Sequence, residues 1–319
     1  MFNSPLHDPT YTPQFSGHET FPMRYGWLKK AYDAVASAQA KGLGFSIFND
    51  DAAIARFGVG KNMVAAIRHW ATQCGVIQPG TKGNAAAVTA LGDAIFSNGN
   101  GIDPYMEHPA TLWLLHWVLA SNAELTTWYW VFSHCPNTSF ERDDLVKALT
   151  ALCLERGWKR VSQTTIKRDV ECFVRTYAAK QDQKGHARED TIESPLTELG
   201  LIKAVGRKDG FRLVKSPKST LSDGVFTYAL INFWSTFIDA RSTLSFEAVA
   251  YHPGSPGKIF LLDEDDLAER LIRVETLTKG AIAWSETAGL KQIVRHVELA
   301  KIDITNILHR DYITSYREA

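Results

Sequence analysis

Net charge is the first thing this chain lacks. Its 35 lysines and arginines are matched by 35 aspartates and glutamates, which excludes a protein drawn to nucleic acid by a global field. Any contact with a polyanion must come from a local basic patch, with acidic groups segregated elsewhere. Cysteine is scarce as well: Cys74, Cys135, Cys153 and Cys172 lie far apart and lack the CxxC spacing of a zinc site. They read as small core residues of a reduced, cytoplasmic protein. No secretory leader opens the chain, and the most apolar run, 111–119 with His116 inside it, is too short to cross a bilayer. A P-loop, a dinucleotide fingerprint, HExxH, GxSxG and the common nuclease signatures are all missing.

What is present is the composition of an ordinary folded protein. Its 319 residues are 45% hydrophobic and 22% charged, enough for two or three domains with real cores. Breakers among small polar residues make 1–14 an extended arm. The stretch 50–77 then reads as a helix-turn-helix: a short helix over 51–57, a turn at Gly58, Val59 and Gly60, and a longer helix over 61–74. Small and aliphatic residues such as Ala53, Val64 and Ile67 supply its packing face, which leaves Lys61, Asn62 and Arg68 for solvent or DNA. Short strands at 76–77 and 86–89 around a turn at 79–84 complete a winged outline, followed by a short helix to Phe96.

Between arm and helix-turn-helix lies an unusually functional segment, 15–30. It gathers His18, Glu19, Arg24, Lys29 and Lys30 among aromatic residues. One reading is a site in which Arg24 or a lysine holds a phosphate while His18 or Glu19 handles a proton or a metal. The other is structural: Gly17 turns the chain, Glu19 pairs with Arg24, and the aromatics plug the first domain.

The helix after Pro109 is apolar nearly all round and must be buried. Leu112, Trp113, Leu115, His116, Leu119, Trp128, Tyr129 and Trp130 form a predicted hub, with His116 as a hydrogen-bonded core histidine. A second helix-turn-helix follows. Its first helix is expected over 140–156, capped by Thr138 or Ser139. The second starts at Ser162 and carries Gln163, Thr164, Lys167 and Arg168 in its first turns, beside Lys159 and Arg160 in the turn. Its buried face is Val170, Phe173, Val174 and Tyr177. Residues 179–193 read as a surface loop. A strand at 202–205, a turn bearing Arg207 and Lys208, and a strand at 211–214 form a second wing.

Residues 216–222 read as a linker, 226–240 as an apolar helix and 244–250 as a short helix or strand. The pattern predicts a strand over 258–262 and, from 281, a strand followed by helices. The acidic run Asp263 to Asp266 is the first turn of a helix capped by Asp263, not a metal site. The expected fold is therefore mainly α with small β-wings: tandem winged-helix-like modules around a helical hub. Domains fall at 1–101, 102–135, 136–215 and 216–319.

Several long blocks resemble the DUF4007 family. They are FSGHETFPMRYGWLKK at 15–30, GVGKNMV at 58–64, DPYMEHPATLWLLHW at 103–117 and KRDVECFVRTY at 167–177, with 194–202, 255–260 and 287–290. His108 stands where the family commonly has an acidic residue. The resemblance implies a bacterial protein encoded among DNA phosphorothioation defence genes, similar to the DNA-nicking component of the single-strand-type system. Its implied partners are double-stranded DNA and the cysteine desulfurase, ATPase and ATP pyrophosphatase-like proteins of such systems. Nicking would place base or metal ligation at His18 or Glu19 and the phosphate contact at Arg24, with magnesium or manganese as the divalent ion. The neutral charge and the missing motifs favour the competing reading, a non-catalytic DNA-binding adaptor that recruits the sulphur-transfer machinery. A transcriptional regulator is the third.

Overall fold

The structure is a computed structural model that describes residues 4–43, 47–49, 52–80, 85–179, 194–206, 209–238, 241–287 and 289–318. The arm is anchored, not free. Pro5–His7 forms a 3-10 turn, Leu6 is buried, and the Tyr11 hydroxyl donates to the Ala123 carbonyl at 2.6 Å. Helix α1 (Trp27–Ala40) then buries Trp27, Leu28, Ala31, Tyr32 and Val35. Against it pack α3 (Lys61–Gln73) and the antiparallel pair β1 (Ile77–Pro79) and β2 (Ala86–Val88), with α2 (Ala53–Phe57) against α3. The short helix, the longer helix and the short strand pair are thus where the hydrophobic spacing puts them, with Gly58 left-handed at the turn. Asp50, Asp51 and 81–84 lie outside the described residues. Thr89 caps α4 (Ala90–Phe96) by accepting the Gly92 N–H.

The hub is α5 (Pro109–Ser121) and α6 (Thr126–His134), almost wholly buried. His116 is the core histidine its surroundings suggest. One ring nitrogen is 2.9 Å from the Tyr177 hydroxyl and the other 2.8 Å from the Ile259 carbonyl, so three distant segments meet on one imidazole. Burial pushes its pKa from 6.5 down to about 4, and does the same to His134. The unfolded chain therefore takes up protons near pH 6.5 that the folded chain takes only near 4. Their stabilising contribution is complete above pH 6.5 and is lost as pH falls through 4. Urea midpoints are expected to fall steadily between pH 7 and 4.5; a flat profile would refute the assignment.

The second unit differs from expectation at its start. Residues 139–141 form a strand, β3 (Ser139–Glu141), and the helix α7 begins only at Arg142 and runs to Glu155. Phe140 is the reason: it pairs with Phe211 across the sheet, and Glu141 with Asp144 closes a capping box one turn later. Helix α8 (Gln163–Tyr177) starts at Ser162, whose hydroxyl accepts the Thr165 N–H at 3.1 Å. A 3-10 turn at Pro195–Leu199, β4 (Ile202–Val205) and β5 (Gly210–Leu213) complete a sheet of order β3-β5-β4. Arg207, Lys208 and 180–193 lie outside the described residues.

Residues 216–222 are no slack linker. Lys218 is 6% exposed, its ammonium donates to the Val214 carbonyl at 2.8 Å, and its backbone N–H donates to Asp266. The last unit holds α9 (Asp223–Ile238), β6 (Thr243–Ser245), α10 (Phe246–Tyr251), α11 (Pro256–Ile259), α12 (Glu264–Leu277), β7 (Ile282–Thr287), β8 (Leu290–Arg295) and α13 (Ile304–Glu318). The expected strand over 258–262 is instead led by the helical turn α11, because Ser255 caps it, Pro256 occupies its first turn and Gly257 lies against Ala250. Residues 282–295 are a hairpin where one strand and helices were expected. Ile282 and Ile293 bury one face of it, and Gly289 turns it at φ +80°.

This sheet has order β6-β8-β7. Both units thus run strand, helices, hairpin, with the last strand central: the same wiring used twice. Asp263 caps α12 by accepting the Asp266 N–H, as the acidic run suggests.

Candidate nucleic-acid interface

The segment 15–26 is threaded between the two second helices. His18 comes from the loop, His69 and Trp70 from α3, and Asp169 from α8. The Nδ1 of His18 accepts the Thr20 N–H at 2.9 Å, so the ring hydrogen sits on Nε2 and is donated to Asp169 Oδ1 at 2.8 Å. Both partners are 3% exposed. The His18 ring lies 5.9 Å from His69 and 6.3 Å from Trp70. Two backbone carbonyls complete the seam, with Trp70 Nε1 donating to Phe21 at 2.9 Å and Arg175 to Thr20 at 3.1 Å. Glycine is required at 17: φ is +113°, and a Cβ there would stand 2.5 Å from His69 Nδ1.

Two buried atoms of the seam have no hydrogen-bond partner, His69 Nε2 and Asp169 Oδ2. Burial, reinforced by His18, pushes His69 down to about 3. The loop places Glu19 outside, at φ +49°. Arg24 is half-buried, its guanidinium 5.9 Å from the Phe21 ring centroid and 5.6 Å from that of Trp27, and Nε is unpartnered. Glu19 and Arg24 form no ion pair. Lys29 pairs with Asp33 at 2.5 Å and bonds Asn98.

On α3, Lys61, Arg68 and Thr72 share one face with Ala65, while Val64, Ile67 and Trp70 are buried. Lys61 and Asn62 are exposed and Arg68 is half-buried. A groove of about 280 Å³ runs between this helix and the β1–β2 pair, lined by Arg68, His69, Thr72, Gln73 and Gln78. On α8, Gln163, Thr164, Lys167 and Arg168 are exposed, as are Lys159 and Arg160 before it. Among the described residues, none of Lys61, Arg68, Lys159, Arg160, Lys167 and Arg168 makes an ion pair. The structure therefore joins the 15–26 segment to both second helices, through His18, which the sequence singles out, and through His69, Trp70 and Asp169, which it does not. Asp169 carried a signal: a carboxylate on the apolar stripe of α8, one turn after Ile166, needs a buried partner. His69, within the helix, carried none.

Magnesium takes oxygen ligands and keeps several waters. Among the described residues, no group of three His, Cys, Asp or Glu is placed to hold a metal. The carboxylate oxygen left over in the seam, Asp169 Oδ2, is buried, and the other oxygen of that carboxylate is taken by His18 Nε2. The seam does not fit such an ion.

The DUF4007 family model, described as a protein of unknown function, matches residues 15–312. This chain belongs to the DUF4007 family. Among solved structures, the DUF4007 chain is similar to a magnesium ion-bound crystal structure of SspB, with TM-score 0.79 and 26% identity over 96% of this chain and 95% of that one. A second crystal structure of SspB matches with TM-score 0.78 and 25% identity over the same shares. No curated protein matches. No helix among the described residues is long and apolar enough to cross a membrane.

Proposed function

We propose that this DUF4007 protein is the DNA-contacting component of a bacterial DNA phosphorothioation system, with the exposed face of α8 as its principal contact. One observation carries the reading. Lys167 and Arg168 stand exposed and unpaired on a helix whose opposite stripe is buried, and Gln163 and Thr164 stand beside them at its start. Cations there neutralise phosphates, while amide and hydroxyl groups reach base edges. The strand, helix pair and hairpin around α8 have the order of a winged helix, and α3 with Lys61, Asn62 and Arg68 supplies a second contact. The likeness to SspB supports the setting, in which a cysteine desulfurase, an ATPase and an ATP pyrophosphatase-like protein are the working partners.

Replacing Lys167 and Arg168 by alanine is expected to make the dependence of duplex affinity on salt shallower by about 2 in the log–log slope. Affinity in low salt falls with it. A slope equal to wild type removes α8 from the interface.

Nicking is the second reading, favoured by an exposed carboxylate, Glu19, and a half-buried guanidinium, Arg24, whose Nε has no hydrogen-bond partner, on one short segment. Here Glu19 activates water and Arg24 holds the scissile phosphate. His18, with both ring nitrogens committed, positions the loop. Supercoiled plasmid with magnesium or manganese decides it. Relaxed product from wild type that disappears in Glu19→Ala and Arg24→Ala supports the nickase, and equal background in all three leaves the non-catalytic adaptor.

A further inference from the structure

Away from the seam, a second set of basic groups converges from five parts of the chain. His7 comes from the amino-terminal turn, His134 from the end of α6, Arg156 from the cap of α7, Lys215 from the strand exit, and His252 and Lys258 from the α10–α11 connection. The His7 and His134 rings are 6.2 Å apart, and the Ser4 hydroxyl lies 2.8 Å from His134 Nε2. The connection is tied to α6 by the Gly254 N–H, which donates to Ser133 Oγ at 3.0 Å. Lys215 lies 5.6 Å from the Tyr251 ring centroid. Burial depresses His134, and the charges of His7, Lys258, His252 and Arg156 add to that shift. Burial and Lys215 likewise depress Lys258. Two acidic groups reach this basin: Glu155 pairs with Arg156 at 3.3 Å, and Glu264 accepts the hydroxyl hydrogen of Tyr251, the ring beside Lys215. Lys258 and Lys215 make no ion pair among the described residues.

Lys215 and Lys258 are like charges that repel one another with no ion pair to a carboxylate among the described residues, and a bound anion relieves that repulsion. The basin also has a direction. Arg156 opens the turn that carries Lys159 and Arg160 to the first residues of α8, and Tyr11 of the arm packs on Trp158 in that turn at 5.0 Å. Cations therefore continue from Lys167 and Arg168, along 156–160, into the basin. The chain is neutral overall, so a continuous track of this length has to be built from separate elements.

We propose that this basin binds a backbone phosphate of DNA, extending the α8 contact along the turn at 156–160 and onto the α10–α11 connection. The inference rests on the DNA-binding reading of α8. It makes the amino-terminal arm, through His7, part of the nucleic-acid surface.

The test uses the full chain and a short duplex. Lys215→Gln with Lys258→Gln keeps the aliphatic stems and is expected to make the salt slope shallower by about 2, in addition to the change from Lys167→Ala with Arg168→Ala. Should that variant melt early, His7→Ala with Arg156→Ala alters the outer groups and is expected to shift the slope in the same sense. A basin variant with the wild-type slope, while the α8 variant changes it, overturns the basin and leaves α8 standing. Wild type without salt-dependent duplex binding removes both. Movement of the His134 ring resonances with inorganic phosphate, together with an unchanged DNA slope, assigns the basin to a free anion and overturns the DNA assignment. The same unchanged slope with variant-sensitive binding of a polyglutamate peptide overturns it in favour of an acidic protein.

Discussion

Replacing Arg270 with alanine is expected to destabilise the protein by about 4 kcal/mol, because it strips the buried Leu221 and Lys218 carbonyls of their donor and takes the guanidinium away from Asp223 and Asp266. Arg270 is 4% exposed on α12. It donates to the Leu221 and Lys218 carbonyls at 2.8 Å each and to Asp223 Oδ1 at 3.1 Å. Its Nε is 3.1 Å from Asp266 Oδ1, an ion contact that is not aligned as a hydrogen bond. One guanidinium thus fastens 218–223 to the last unit, and this is why that stretch is ordered despite its linker-like composition. Urea unfolding should show a lower midpoint. Arg270→Lys recovers little, since one ammonium cannot reproduce a planar fork. An alanine variant as stable as wild type would show that the segment is held by other contacts.

The second large effect is expected at Asp169. Alanine there removes the acceptor of the His18 Nε2–H within an enclosure of His69 and Trp70, at a cost of about 3 kcal/mol. Asparagine is the discriminating control. Its carbonyl oxygen can still accept from Nε2, so most of the loss should be restored while the charge is gone. If the two variants are equally destabilised, the negative charge of Asp169 matters more than its hydrogen bond. Because His18 bridges α3 and α8, the alanine variant should also weaken duplex binding beyond what unfolding explains, measured at a temperature where both variants are folded.

Much of the fold was legible in local patterns, and the misses have physical causes. The apolar run of α5, the Ser162 cap of α8, the Asp263 cap of α12 and the burial of His116 follow from side-chain chemistry within a turn or two of chain. β3 was hidden because Phe140 becomes a strand residue only when Phe211, far along the chain, lies opposite it. α11 looked like a strand because its apolar run is short, and at that length a buried helical turn and a strand carry the same pattern. The hairpin over 282–295 was obscured by its polar outer face. For the site, the exposed cations of α8 were visible as a helix start rich in donors. The His18–Asp169 bond was not, since it joins residues 151 positions apart. The anchoring of the arm on Ala123 and His134 was likewise beyond any local signal.

The repeated wiring of the last two units carries a kinetic consequence. In one unit the second long helix, α8, shows lysine and arginine to solvent; in the other, α12 shows Glu264, Asp265, Glu269 and Glu275. A chain of zero net charge built this way is a dipole. It gains little attraction toward a polyanion at long range, yet within about 10 Å, the screening distance at moderate salt, the field of a polyanion turns α8 inward and α12 outward. In the DNA contact proposed above, capture is then a matter of torque more than of pull, and molecules arrive already oriented, with α8 facing the duplex and α12 facing away.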